Sequence, residues 1–378
     1  MKKLQGYSKN INNPILGKVK CGNNIFHYFE KDNILITANL PKTLFKYKAV
    51  VTNISDIDIM NKINYPIIYG VEDVQELDDG DVLLLEKDGR INVLFDNSSN
   101  DNCLLITEKC NCNCIMCPQE NKGQGNSWLN IKIIDLISKK TKYVGLTGGE
   151  PTLLKGNLIE IIKKCKHQLP NTSIALLTNG ILFDELTFVE EIVSINHPSL
   201  IFQIPLYSDN DEEHNNIIQA KGFYKTINGL YNLAMFRQKI EIRNVIQKIN
   251  YKRLPQYADF IYRKFPFVFH VALMGLEFEG KAQKVVSDLW IDPFNYADEL
   301  ERAVIYLHRA YINVSIYNHQ LCILPKKLWL FAKKSISSWK NIYLEVCEKC
   351  DYRGKCGGFF KSSTVKRSDY IKPLKDYR

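Results

Sequence analysis

The chain has 378 residues, a formal net charge of +9 and eleven cysteines. That length buries a sizeable core, enough for one large domain with accessories, and no apolar run is long enough to span a membrane. The charge excess is modest and mixed in sign, so it permits an acidic peptide or nucleic-acid partner without demanding one. The N-terminus, Met1-Lys-Lys-Leu-Gln-Gly6, lacks the apolar stretch of a secretory signal. A reduced cytoplasm is therefore expected, with cysteines serving metal rather than disulfides.

Residues 1–100 read as a β-rich accessory domain. Ile34-Leu-Ile-Thr37, Tyr47-Lys-Ala-Val-Val-Thr52 and Val82-Leu-Leu-Leu85 are strand-like, and turn signals such as Asp79-Gly80 separate them. Val82 to Phe95 predicts a hairpin turning at Asp88-Gly89. No chemical motif is visible here. The polar run Asp96-Asn-Ser-Ser-Asn-Asp101 marks the boundary.

From residue 101 to 312 apolar strands alternate with helical stretches, which predicts a parallel α/β core. Six strands are expected: Cys103–Thr107, Tyr143–Thr147, Ser173–Leu177, Ile201–Leu206, Ile240–Val245 and Phe269–Met274. Amphipathic segments such as Leu158–Lys164 and Asn228–Ala234 lie between them. Active sites in such folds gather at the carboxyl ends of the strands. At those ends stand a cysteine loop, Thr147-Gly-Gly-Glu-Pro151, Thr178-Asn-Gly180 and Tyr207-Ser-Asp209.

The loop is Cys110-Asn-Cys-Asn-Cys-Ile-Met-Cys117, a CxxxCxxC array formed by Cys110, Cys114 and Cys117. Three thiolates hold three corners of a four-iron cluster and leave one iron open. Zinc is the plainer alternative, but zinc sites usually come as paired arms, which this triplet fits poorly. Cys112 is a spectator by spacing, able to replace Cys110 if the loop rearranges. The array, with the strand-end segments, resembles the radical S-adenosylmethionine (SAM) enzymes, which implies a partial (β/α)6 barrel, a SAM-binding [4Fe–4S] cluster and SAM itself.

The resemblance also implies roles. The backbone of Gly148 and Gly149, helped by Glu150, would hold SAM's ammonium, and Thr178 and Asn179 would lie near its floor. Gln203, Tyr207 and Ser208 lie on or just past the fourth strand, where ribose contacts are expected; Ser208 is the leading one, although a serine there also caps turns. Arg243 would take SAM's carboxylate or serve a structural salt bridge, and the backbone at Met274 and Gly275 would line the adenine. Met116 stands where the family commonly has an aromatic residue; its polarizable side chain can also meet a ring. No catalytic side chain is assigned, because the reactive species comes from the cofactor. His167, His197, His214, His270, His308 and His319 show no metal spacing.

Residues 313–378 carry Cys347-Glu-Lys-Cys350 and Cys356, with Cys322 upstream. Spacing alone leaves zinc and a second cluster open. Behind a radical SAM core the pattern resembles the auxiliary-cluster extension of peptide-modifying members, which implies an auxiliary [4Fe–4S] cluster with Cys322 as the fourth ligand. Cys21, Cys103 and Cys165 read as incidental thiols.

Further runs narrow the resemblance: Cys114-Ile-Met-Cys-Pro-Gln119, Pro205–Asp209, His270–Glu277, Trp290–Pro293, Val314–Asn318, Ser335–Asn341 and Cys356-Gly-Gly-Phe-Phe360. Together these are similar to the His-Xaa-Ser system radical SAM maturases of the C type, HxsC. That likeness implies a ribosomally made peptide substrate with His-Xaa-Ser repeats. It also implies a second radical SAM maturase, a small accessory protein and an external electron donor. The competing readings are a radical SAM enzyme acting on RNA or a small metabolite, and a zinc-stabilised nucleic-acid-binding module. No basic stripe with interleaved aromatics supports the last, and neither nucleic acid nor a membrane is the expected partner.

Overall fold

The computed structural model describes residues 2–22, 32–41, 47–119, 127–334, 342–364 and 366–376. Ser335–Asn341, one run of the maturase likeness, lies outside the described residues. The chain divides into two compact units. The first comprises Met1–Leu104, Ser127–Val144 and Lys164–Thr172; the second comprises Leu105–Asn126, Gly145–Lys163 and Ser173–Arg378.

The first sheet is built from β1 (Lys3–Gln5), β2 (Tyr7–Lys9), β3 (Ile15–Cys21), β4 (Asn33–Ile36), β5 (Ala49–Val51), β6 (Ile67–Tyr69), β7 (Val82–Leu85) and β8 (Arg90–Phe95). Its order is β1-β8-β7-β3-β4-β5-β6-β2. Strands β1 and β2 stand at opposite ends of that order with Gly6 alone between them. The first nine residues thus join both edges and close the sheet, which among the described residues leaves no long unpaired edge strand. Strand β4 is buried on both faces: Ile34 faces one apolar cluster, with Val19, Val51 and Leu83, while Leu35 faces another, with Val50 and Met60. The short helix α1 (Ile57–Asn61) is capped by Asp56, whose side chain accepts from Asp58 N at 2.9 Å.

The expected hairpin is β7–β8, with Gly89 at φ +85° in its turn. A Cβ on Gly89 would stand 2.0 Å from Gly6 O, and Gly6 N donates to Gly89 O at 3.0 Å. The hairpin turn is therefore tied to the residue that closes the sheet. Strands β1, β2, β3 and β6 were not expected from the sequence; β3, Ile15-Leu-Gly-Lys-Val-Lys-Cys21, is interrupted by Gly17 and two lysines.

The second sheet runs β16-β15-β14-β13-β12-β11-β10-β9, in strict chain order. Its strands are β9 (Asn102–Thr107), β10 (Tyr143–Gly148), β11 (Ser173–Leu177), β12 (Leu200–Pro205), β13 (Lys239–Ile246), β14 (His270–Gly275), β15 (Val314–Tyr317) and β16 (Ala332–Lys333). All pairings from β11 to β16 are parallel. The intervening helices are α2 (Ser127–Leu136), α3 (Gly156–Gln168), α4 (Leu186–Ser194), α5 (Asp211–Ile218), α6 (Phe223–Met235), α7 (Leu254–Lys264), α8 (Val286–Leu289) and α9 (Ala297–Arg309). The six expected strands are β9 to β14, and β15 and β16 extend the sheet to eight.

Alternation along β13 shows how this sheet is used. Ile240, Ile242, Asn244 and Ile246 are buried, while Glu241, Arg243 and Val245 lie half-buried on the other face. His270 on the next strand pairs with polar residues on that second face and beyond it. His270 Nδ1 lies 3.0 Å from Glu241 Oε2, and His270 Nε2 lies 3.0 Å from Ser315 Oγ.

The closure of the first sheet sets one expectation. Gly89→Ala meets a carbonyl and a positive φ at once, so it should lower stability by about 1–3 kcal/mol. Urea unfolding read through the first unit checks this, and an unchanged midpoint would contradict the closure.

Candidate functional site

At the carboxyl ends of the second sheet lies a cavity of about 300 Å³. Cys110, Cys112, Cys114 and Cys117 line it together with Gly148, Gly149, Glu150, Thr178, Asn179, Arg243 and Met274. Side chains far apart in sequence thus meet at strand ends, where the fold class places active sites.

The cysteine loop is fastened at several points. Asn113 N donates to Ile218 O and Ile115 N to Ile217 O, each at 3.0 Å, so the loop uses orphan carbonyls at the end of α5. Cys117 N turns back to Cys114 O at 3.2 Å. Asn179 Nδ2 donates to Asn111 Oδ1 at 2.7 Å and to Cys112 Sγ at 3.4 Å. Cys112, a spectator by spacing, therefore reaches the cavity wall as well. Its hydrogen bond brings the Cys110 thiol down to about 7, and its own thiol is pushed up by the same contact and by burial. Burial, then the charges of Cys117 and Cys110, push Cys114 up to about 12. Thiols crowded in this way ionise together only where a cation offsets their charge.

The Gly-Gly-Glu turn meets the loop through its backbone. Gly149 N donates to Thr107 O at 2.8 Å and Glu150 N to Lys109 O at 2.6 Å. A Cβ on Gly149 would stand 2.2 Å from Lys109 O, so glycine is needed for this approach. Glu150 is buried, and its Oε1 accepts from Thr152 N (3.0 Å), Thr152 Oγ1 (2.6 Å) and Thr178 Oγ1 (2.6 Å). Its Oε2 accepts from Asn179 N at 2.6 Å. Burial pushes this carboxyl up, and the hydrogen bonds oppose that shift.

Arg243 reaches the cavity with long contacts only: Nη1 is 3.4 Å from Gln203 Oε1, Nη2 is 3.5 Å from Met274 Sδ, and Nε is 3.4 Å from Glu241 Oε1. Gly275 and Ser208 are absent from the cavity wall. The Ser208 hydroxyl donates to Glu213 Oε2 at 2.7 Å and accepts from Asn210 N at 3.1 Å, just before α5, the turn-capping alternative for this residue. Gln203 and Tyr207, the other residues expected at the ribose, line the cavity, as do Glu108 and Lys281, which carry no motif of their own in the sequence.

In the second cysteine set burial raises Cys322, a backbone hydrogen bond from Lys372 opposes the shift, and the charges of Cys356 and Cys347 add to it; burial likewise raises Cys356, with the charges of Cys347 and Cys350 adding. Cys350 Sγ accepts from Leu374 N at 3.4 Å and Cys356 Sγ from Gly358 N at 3.5 Å. Of the remaining thiols, Cys21 and Cys103 are exposed and Cys165 is buried.

Among the described residues no three His, Cys, Asp or Glu side chains are already gathered to metal-holding geometry. Preformed closure is not a requirement, since metal sites commonly close as they load. Thiol donors on a loop facing a cavity fit a cluster with an open iron; a structural zinc site is a closed four-ligand shell. The residues therefore fit an iron–sulfur group. No helix among the described residues is long and apolar enough to cross a membrane.

Residues 104–261 match the family model of the radical SAM superfamily. That family uses a [4Fe–4S] cluster and SAM. A probable GTP 3',8-cyclase of Methanocaldococcus jannaschii is 28% identical over 162 residues, covering 41% of this chain and 52% of that protein. A probable GTP 3',8-cyclase of Sulfolobus acidocaldarius is 36% identical over 88 residues, covering 22% of this chain and 28% of that protein. The chain thus spans about half the length of the first relative. The structure of hexahistidine-tagged anSMEcpe with bound AdoMet superposes with a TM-score of 0.50 at 16% identity, covering 72% of this chain and 89% of that one. The fold is that of the radical SAM enzymes.

Glu150→Gln should lower stability by about 1–3 kcal/mol, because an amide nitrogen would face a donor it cannot accept from. Urea unfolding measures this, and parental stability would show that the carboxylate is not what joins these strand ends.

Proposed function

We propose that Cys110, Cys114 and Cys117 hold a [4Fe–4S] cluster on which SAM is cleaved reductively, and that the chain modifies a ribosomally made peptide with His-Xaa-Ser repeats. The observation that carries the first part is the shared cavity of the three thiols, Gly148, Gly149, Arg243 and Met274. Cys110, Cys114 and Cys117 would hold the cluster, and with SAM bound it would supply one-electron reductive chemistry able to take hydrogen from a substrate.

The protein's own work is binding and orientation. The backbone at Gly148 and Gly149 admits SAM's amino-acid head without a side chain between them. Glu150 fixes Thr178 and Asn179 around it. Arg243, with long contacts only, keeps donors for a carboxylate in a bidentate geometry. Met274 lies on the wall for the adenine.

Support for the peptide substrate comes from the likeness to HxsC maturases, and with it come a second maturase, a small accessory protein, an external electron donor and a cytoplasmic setting. Cys322, Cys347, Cys350 and Cys356 would hold the auxiliary cluster that binds substrate or accepts an electron. The curated relatives support a second reading, a nucleotide substrate, through their printed activity as GTP 3',8-cyclases over part of their length.

Anaerobically reconstituted protein should carry about eight irons, and with dithionite and SAM it should release 5'-deoxyadenosine. Cys117→Ala should release none; release at the parent rate would place the cluster elsewhere, and zinc without iron would end the enzyme reading. Mass spectrometry after incubation with a His-Xaa-Ser peptide or with GTP separates the two substrates.

A further expectation concerns the tail. Replacing Cys347, Cys350 and Cys356 together by Ala should spare deoxyadenosine release far more than peptide modification. A structural zinc knot would instead lower folded yield and both activities together.

A further inference from the structure

The segment after β14 folds back onto the cysteine loop. Gly280, at φ +57°, comes so close that a Cβ would stand 2.6 Å from both Cys117 O and Pro118 O. Lys281 N donates to Cys117 O at 3.0 Å, and Ala282 is buried in one apolar cluster with Met116. At the other end of the side chain, Lys281 Nζ bonds Asn113 Oδ1. One residue is therefore held at both ends by the loop that bears Cys110, Cys114 and Cys117. Its position is fixed by backbone, packing and side chain together.

The consequence is electrostatic. Lys281 lines the cavity those thiols share. Its side-chain partner, Asn113, is neutral, and among the described residues no carboxylate forms an ion pair with it. A positive charge held at the cavity wall acts on whatever charge the site holds, less strongly where water reaches it. Cluster potentials respond to nearby charge and hydrogen bonding.

We infer that Lys281 is a redox-tuning residue. Its ammonium favours the more negative, reduced form of the cluster and so raises the reduction potential. The cluster takes one electron from an external low-potential one-electron donor, and that transfer precedes SAM cleavage. The inference rests on the reading that Cys110, Cys114 and Cys117 hold the cluster.

The experiment is a redox titration of the reconstituted holoprotein without SAM, followed by electron paramagnetic resonance, with iron content measured on the same samples. Lys281→Gln keeps a donor for Asn113 and removes the charge, and its midpoint should move to lower potential. Lys281→Arg keeps the charge and should stay near the parent. Asn113→Asp leaves the lysine in place but neutralises it, and should shift the midpoint in the same direction as Lys281→Gln. This third variant tests the idea even where Lys281→Gln loses iron. Parental midpoints in Lys281→Gln and Asn113→Asp, or an equal shift in Lys281→Arg, would overturn the inference while leaving the cluster in place. A parent protein with no reducible cluster signal would overturn the cluster reading itself, and the role of Lys281 with it.

Discussion

Glu150 accepts four hydrogen bonds, from Thr152 N, Thr152 Oγ1, Thr178 Oγ1 and Asn179 N, while its own N–H donates to Lys109 O. One buried residue thereby joins the end of β10, the end of β11 and the start of the cysteine loop. Burying a carboxylate is costly unless its oxygens are satisfied, and here both are. Asn179, placed by this carboxylate, passes the restraint on to Asn111 and Cys112. The cavity thus owes its shape to a carboxyl group that is itself held within the protein.

Around that anchor the loop is fixed from two further sides. The carbonyls of Ile217 and Ile218 receive its amides, and the Gly280–Ala282 segment closes over Cys117 and Met116. Backbone hydrogen bonds dominate these restraints, which leaves the thiols to point elsewhere. Soft donors on a pinned loop, with an open cavity in front, suit a cluster that must expose one metal to a small molecule. A closed zinc shell has no use for the cavity.

Much of this was legible in the sequence because it depends on local pattern. The six core strands follow apolar runs of strand length, and Ser173–Leu177 and the Asp88-Gly89 turn appear where turn and strand chemistry put them. Gly148, Gly149, Thr178 and Asn179 reach the cavity because strand ends do. Ser208 did not follow: its hydroxyl finds Glu213 in the next helix, a contact that a strand-end position does not reveal. Lys281 and Glu108 arrive at the cavity by tertiary placement, and nothing in their neighbours' spacing marks them. The closure of the first sheet was equally hidden, since it depends on Gly6 letting one short segment pair with β8 on one side and β6 on the other.

The central claim is that the cysteine cavity presents an open iron to SAM. The most direct measurement is electron paramagnetic resonance of the dithionite-reduced, reconstituted protein, recorded with and without SAM. In protein lacking the tail thiols Cys347, Cys350 and Cys356, the remaining reduced-cluster signal should change shape and g-values on saturation with SAM. A signal indifferent to saturating SAM would contradict the account.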